Sequence, residues 1–360
     1  MMRLTDRQAE LSFGLLLLLS VMLAALAGEG LMRLFALRDT GLRVDWATLR
    51  SETIRIEPET GMDRFIPHTQ SGRVRINSIG FRGPEPLAPG PDLIRIGMLG
   101  DSTLLAAELD EGDAPAALLV DQLRARWPAC RFDYILAAGP DYSMADMGLV
   151  ARDGLAPTAP DIHLLMAGRV PELLAAYEGS RFDALPVLAE IPGTAQRSRL
   201  FFAFWRLFHW RREERRSVRI DFDAILPDEE VEALMRTTSW PLRAALKSQS
   251  VLAIVDSGLL REDTPAGLAS QLTRWERTFT RALAPSDFGR LKRSLSTGLT
   301  RAFADEGWTV IDPLEGIDDP VALFLDSHHL NEAGAAHYAR SAAAAIEPLV
   351  LATGKACLDS

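Results

Sequence analysis

Between Leu93 and Gly100 the chain reads Leu-Ile-Arg-Ile-Gly-Met-Leu-Gly, an almost unbroken apolar run set between Pro91 and the polar Asp101-Ser102-Thr103. A strand with one wet face alternates, whereas a strand apolar at nearly every position is covered on both faces and belongs to a parallel sheet flanked by helices. Apolar runs at 132–138 and 161–167 repeat the pattern, with a helical stretch at 113–126 after the first. In that stretch Leu118, Leu119 and Leu123 share a face, while Asp121, Arg124 and Arg126 lie elsewhere, as a helix covering a sheet requires. Further on, Trp308 to Pro313 reads as another strand. Residues 331 to about 351 read as an alanine-rich helix with Asn331 as its cap and Gly334 near its start. This alternation predicts an α/β fold.

Before the first strand, the chain divides into two parts. From Leu11 to Ala27 it is apolar and uncharged, long enough as a helix to cover most of a bilayer. Two explanations compete: an uncleaved signal anchor, or a signal peptide cut after Ala25-Leu26-Ala27. Apolar character resumes with Leu31, Met32, Leu34 and Phe35, which favours the anchor over residues 1–30. Arginines lie on both sides of the span, Arg3 and Arg7 before it and Arg33, Arg38 and Arg43 after it, so positive charge does not choose its orientation. A bulky domain behind an N-terminal anchor is more often exported, and we place it in the periplasm or outside the cell. Residues 31–91 read as a stem and lead-in. They hold short β-like pieces at 53–56 and 73–76 and end in the stiff series Pro84, Pro86, Pro89 and Pro91.

The main domain is expected over 92–351. Between about 172 and 290 the strand-helix rhythm breaks and the chain reads as a helical insertion. Within it the aromatic run Leu200 to Trp210, followed by Arg211, Arg212, Arg215 and Arg216, reads either as a helix packed on the domain or as one lying on anionic lipid. The formal charge of −10 argues against nucleic acid as a partner, since phosphate binding wants a basic face. Cys130 and Cys357 are too few for a disulfide framework. A bridge between them is not expected, and the redox compartment stays undecided.

The chemistry-bearing residues fall at two places. Gly100-Asp101-Ser102-Thr103 follows the first buried strand, and the carboxyl ends of parallel strands form the ligand-binding edge of an open sheet. Far downstream the chain reads Asp326-Ser327-His328-His329-Leu330-Asn331. An Asp three residues before a His can hold one ring nitrogen and leave the other to take a serine's proton, so Ser102, His329 and Asp326 together point to acyl-group chemistry. Alone, the first motif reads equally well as a turn and helix cap. A metal site on Asp326, His328 and His329 lacks further ligands at recognisable spacing, and no metal or cofactor is implied. The elbow Gly-x-Ser-x-Gly of α/β-hydrolases does not fit, because Leu104 occupies its second glycine position.

By blocks, these residues resemble the SGNH/GDSL hydrolases, specifically membrane-anchored members with a helical insertion. Arg95 to Ser102 resembles the serine block, Ala137-Ala138-Gly139-Pro140-Asp141-Tyr142-Ser143 the glycine block, and Asp326 to Asn331 the terminal block. Asn77-Ser78-Ile79-Gly80-Phe81-Arg82-Gly83 resembles the lead-in before the serine block, and the likeness covers about 70–170 and 295–350. The resemblance implies a flavodoxin-like three-layer fold with a parallel sheet, here joined to an N-terminal transmembrane helix and the helical insertion. It implies Ser102 as nucleophile, the amides of Ser102 and Gly139 as oxyanion donors, and Asp326 with His329 as the base system.

Two blocks depart from the family pattern. Where a Gly-x-Asn-Asp element usually follows the third strand, this chain has Met166-Ala167-Gly168-Arg169-Val170-Pro171, so the asparagine donor is missing. Losing one such donor typically costs about 2.7–4 kcal/mol. Arg169 is the candidate substitute, a charged donor that would favour an anionic substrate or leaving group. The glycine block is one residue short and has Ala137 in place of its usual asparagine. The expected activity is hydrolysis or transfer of an acyl or acetyl ester on a glycan or other cell-envelope substrate, in the setting of envelope polysaccharide machinery. The rival expectation is a catalytically weakened relative that binds glycan or scaffolds envelope assembly.

Overall fold

The computed structural model describes residues 19–28, 30–31, 46–57, 62–140, 142–168, 228–255, 285–325 and 328–358. In chain order the first elements are α1 (Trp46–Thr53), β1 (Ile54–Ile56), β2 (Asp63–Phe65), β3 (Gln70–Ser71) and β4 (Val74–Arg75). Next come β5 (Leu93–Gly100), α2 (Ser102–Leu105), α3 (Pro115–Arg126), β6 (Arg131–Ala138), α4 (Met144–Val150) and β7 (Ile162–Ala167). The last are α5 (Asp228–Thr238), α6 (Trp240–Ala245), β8 (Val251–Val255), α7 (Pro285–Ala304), β9 (Thr309–Ile311) and α8 (Glu332–Ala352).

Five strands form one sheet in the order β6-β5-β7-β8-β9, and every pairing is parallel. Counted along the sheet's own strands this is the flavodoxin-like order 2-1-3-4-5, whose switch point lies between β5 and β7. Alternate residues serve opposite faces. Ile94, Ile96, Met98, Leu164, Met166, Leu252 and Ile254 join one core with Leu119 and Leu123 of α3 and Ile346 and Val350 of α8. Leu99, Leu165, Ala167, Val251, Ala253 and Val255 join the other with Met147, Val231, Met235, Leu242, Leu295 and Phe303. Burial on both faces is why these strands read as continuous apolar runs.

The predicted strands at 93–100, 132–138 and 161–167 and both predicted helices are present within two residues of their expected limits. The predicted insertion is not a single helical body. Val251-Leu252-Ala253-Ile254-Val255 lies inside it and forms β8, an interior strand of the sheet. Five consecutive apolar residues carry no periodicity that separates a strand from a buried helical turn. The aromatic run at 200–216 lies outside the described residues.

The described residues of 46–83 also differ from a stem. Leu49, Ile54, Phe65, Val74 and Ile76 are buried in the same core as β5 and β6. Cys130 and Cys357 are bridged, with Cα atoms 5.0 Å apart, against the expectation that they would not pair. The reason is the course of α8, which carries the C-terminal turn back to the amino edge of the sheet. There Lys355 Nζ meets Asp161 Oδ1 at 3.0 Å. Of the expected membrane span, 11–18 lies outside the described residues, and the helical part that follows exposes Leu19, Val21, Met22, Leu23 and Leu26. Among the described residues no helix is long and apolar enough to cross a membrane.

Candidate active site

Ser102 opens α2 directly beyond the carboxyl end of β5. Asp101 caps that helix in extended conformation, its Oδ1 accepting from Thr103 N at 2.9 Å, which turns the chain sharply out of the strand. After one turn Ala106, at φ 49°, closes α2 in the left-handed region, and its N–H donates to Ser102 O. The nucleophile candidate is therefore held by its cap before it and its C-terminal turn after it.

His329 arrives on a loop fastened at both ends. Phe324 and Leu330 form an antiparallel bridge, Leu325 N donates to His329 O at 2.7 Å, and Asn331 N donates to Leu323 O at 3.1 Å. Asn331 then caps α8, its Oδ1 accepting from Gly334 N at 2.9 Å. Gly334 permits this: a Cβ there would stand 2.0 Å from Leu323 O. Thr103 Oγ1 donates to His328 O at 3.2 Å, tying the loop to the serine turn. The result is His329 Nε2 at 3.1 Å from Ser102 Oγ, both residues buried. With the Ser102 hydroxyl donating, Nε2 is the bare nitrogen and Nδ1 carries the proton. The ring of His328 packs against that of His329, centroids 4.0 Å apart. Asp326 lies outside the described residues.

Gly139 follows β6 at the same edge as Ser102. A Cβ there would stand 2.4 Å from the Tyr142 ring, so only glycine lets that ring close over the chain. The Tyr142 hydroxyl donates to Asp63 O at 2.7 Å, and burial pushes its pKa up. The Gly139 N–H donates to Gly100 O at 3.3 Å. To serve an oxyanion it must turn from that carbonyl, and the long bond makes this a small rearrangement.

Arg169 lies outside the described residues. The preceding Gly168, at φ 110°, ends β7, the neighbour of β5 across the switch point. Its carbonyl accepts a 2.9 Å bond from Lys292 Nζ of α7, and Lys292 is buried. An ammonium at this edge went unseen in the sequence, because one lysine on an amphipathic helix reads as solvated. Also unforeseen is Glu108, which stands close to His329 on the side away from Ser102. Among the described residues no cluster of His, Cys, Asp and Glu could hold a metal ion.

No protein-family model matches the chain, and no curated protein matches it. Among solved structures it is similar to LAE5, an alpha/beta hydrolase enzyme from the metagenome of Lake Arreo, Spain, at 16% identity. That match covers 74% of this chain and 97% of the other, with TM-score 0.39. TesA aligns at 14% identity over 71% and 99% of the two chains, TM-score 0.41. Axe2, an acetylxylan esterase from Geobacillus stearothermophilus, aligns at 13% over 71% and 94%, TM-score 0.41. At such identities and scores these likenesses carry no argument about the chemistry of this chain.

Proposed function

We propose that the protein is a serine esterase or acyltransferase. The observation that carries this reading is the 3.1 Å approach of His329 Nε2 to Ser102 Oγ at the switch point of the sheet. Ser102 attacks an acyl carbonyl while His329 takes its proton, and the imidazolium returns that proton to the departing alkoxide. Asp326 holds the Nδ1–H, and the amides of Ser102 and Gly139 receive the oxyanion. The acyl-serine then passes its acyl group to water or to a sugar hydroxyl, by the same base. In the place of the missing asparagine, the proposed positive charge comes from Arg169, while Lys292 binds the carbonyl of the preceding Gly168. This charge favours an ester beside an anionic group, such as an acylated envelope glycan.

The Cys130–Cys357 bridge supports export of the catalytic domain to an oxidising compartment, since such bridges persist there and are rare in the cytosol. The apolar segment 11–27 is the proposed anchor. A second reading, a weakened relative that binds glycan without turnover, is favoured by the absent asparagine and by the engaged Gly139 amide. A serine-reactive fluorophosphonate separates the two. The enzyme reading expects stoichiometric labelling that disappears in Ser102→Ala and falls at least a thousandfold in His329→Ala, by analogy with loss of a triad member. Absence of labelling in the wild-type protein would overturn it.

A further inference from the structure

The imidazole of His329 has an acidic neighbour that the triad does not include. Glu108 Oε1 lies 3.8 Å from His329 Nδ1, the ring nitrogen opposite Ser102, and the side chains are 7% and 10% exposed. A buried carboxylate at that distance is beyond hydrogen-bond range, yet it faces the charge that forms when the ring is protonated. Several parts of the chain cooperate to put it there.

Glu108 lies in the turn that follows α2. Ala106 reverses the chain and Leu109 N donates to Ala106 O at 3.0 Å, which closes the turn around residues 107 and 108. Arg82, itself only 1% exposed, grips the turn through its side chain. Its Nη1 donates to Leu105 O and, at 2.6 Å, to Ala106 O, and its Nη2 donates to Leu109 O at 2.8 Å. Burying a guanidinium is costly unless its donors are satisfied, and here Nη1 and Nη2 serve three carbonyls of one turn while Nε has no partner among the described residues. Arg73 Nη1 also donates to Glu108 O at 3.0 Å.

The lead-in segment supplies the arginine. Asn77 Oδ1 accepts from Ile79 N and Phe81 N at 3.2 and 3.0 Å, its Nδ2 donates to Pro84 O at 3.0 Å, and Gly80 takes φ 81°. This tight turn sets Arg82 in an antiparallel bridge with Leu136 of β6. Asn77 to Gly83 thus has a task that the proposed reaction left unexplained: to carry a buried clamp under the residue next to the base.

We propose that Glu108 is a positioning residue of the base, a second carboxylate that faces the Nδ1 side of His329 and stabilises the imidazolium formed as Ser102 loses its proton. This rests on the reading of Ser102 and His329 as nucleophile and base. His328 lies against the His329 ring at a tilt of 44°, Asp101 accepts from Thr103 N, and Arg73 also pairs with Asp110 at 3.4 Å, while Arg75 pairs with Glu111. Asp326 is the sequence-adjacent partner. A base served by two carboxylates keeps part of its function when either is neutralised.

The test uses the full-length protein and two readouts: the pH dependence of fluorophosphonate labelling at Ser102, and NMR titration of His329 with isotope-labelled histidine. In Glu108→Gln the acid limb of the labelling profile and the His329 titration both move down by about one pH unit, the low end of the effect of an opposite charge at this range. The plateau rate falls about tenfold. Glu108→Asp, which keeps the charge, restores the limb. Asp326→Asn keeps a measurable rate, and the double variant with Glu108→Gln drops to the level of His329→Ala. A limb and titration unmoved in Glu108→Gln would overturn the proposal. So would a double variant no slower than Asp326→Asn. Should the wild-type protein fail to label, the esterase reading falls, while the His329 titration still decides whether Glu108 acts on the ring. If Glu108→Gln fails to fold, the same titration in Glu108→Ala decides: a midpoint equal to that of the wild-type protein overturns the proposal.

Discussion

His163 is 4% exposed in β7, and its Nδ1 is buried without a hydrogen-bond partner among the described residues. Desolvation pushes its pKa down to about 4, because a charged ring there would lack solvent. A depressed histidine costs no stability above the unfolded value near 6.5, where both states are neutral. As pH falls below that value the unfolded chain takes up a proton that the folded chain refuses, so stability declines until pH approaches 4. At pH 5 the cost is on the order of 2 kcal/mol. Replacing His163 with leucine is expected to shrink the drop in thermal midpoint between pH 7 and pH 5, and calorimetry at both values would show it; an unchanged drop would refute the assignment. At this scale the sequence announced Ser102 and His329 through their motifs. Glu108 had no such sign, since it meets His329 only through a left-handed turn and an arginine clamp contributed from 26 positions upstream (108 − 82).

Among the elements, the loop between β9 and α8 holds the base, and Gly334 in the first turn of α8 is where helix and loop approach most tightly. Adding a Cβ 2.0 Å from Leu323 O must push the helix start from the loop, with a cost of about 1–3 kcal/mol, typical for overpacking. Gly334→Ala is therefore expected to lower both the thermal midpoint and the Ser102 labelling rate. Gly112→Ala, where a Cβ would meet nothing within 4 Å, should change neither. Equal behaviour of the two variants would contradict this view of the loop. Strands β5, β6 and β7 were legible because burial on both faces makes them apolar at almost every position. β8 was not, because its five residues stand alone between polar and arginine-rich stretches, and only pairing with β7 and β9 distinguishes it from a helical turn.

For the molecule as a whole, the amino edge of the sheet is locked and the carboxyl edge holds the chemistry. At the amino edge Arg95 and Asp133 form a buried pair at 2.9 Å, with Arg95 Nη1 also donating to Thr158 O, and the Cys130–Cys357 bridge closes a sequence separation of 227. In the chain-entropy model a loop of that length stabilises by up to about 5 kcal/mol. Cys357→Ser is expected to unfold at markedly lower temperature and to ignore dithiothreitol, whereas the wild-type midpoint falls on reduction. Calorimetry with and without reductant compares them, and a midpoint equal in all four samples would count against a structural role for the bridge. The pairing itself was not readable from two distant cysteines, because nothing local shows that α8 returns the chain to the start of β6. Arg82 has one more effect at this scale. β6 is one of the two edge strands of the sheet, and the bridge from Arg82 to Leu136 covers its open side at that residue, where a bare strand invites pairing with another copy. Cutting the chain at Asp92, the start suggested by the proline series, would strip that cover and release the turn bearing Glu108 in one stroke. The smallest unit that keeps both the covered edge and the Glu108 turn therefore begins upstream, at α1.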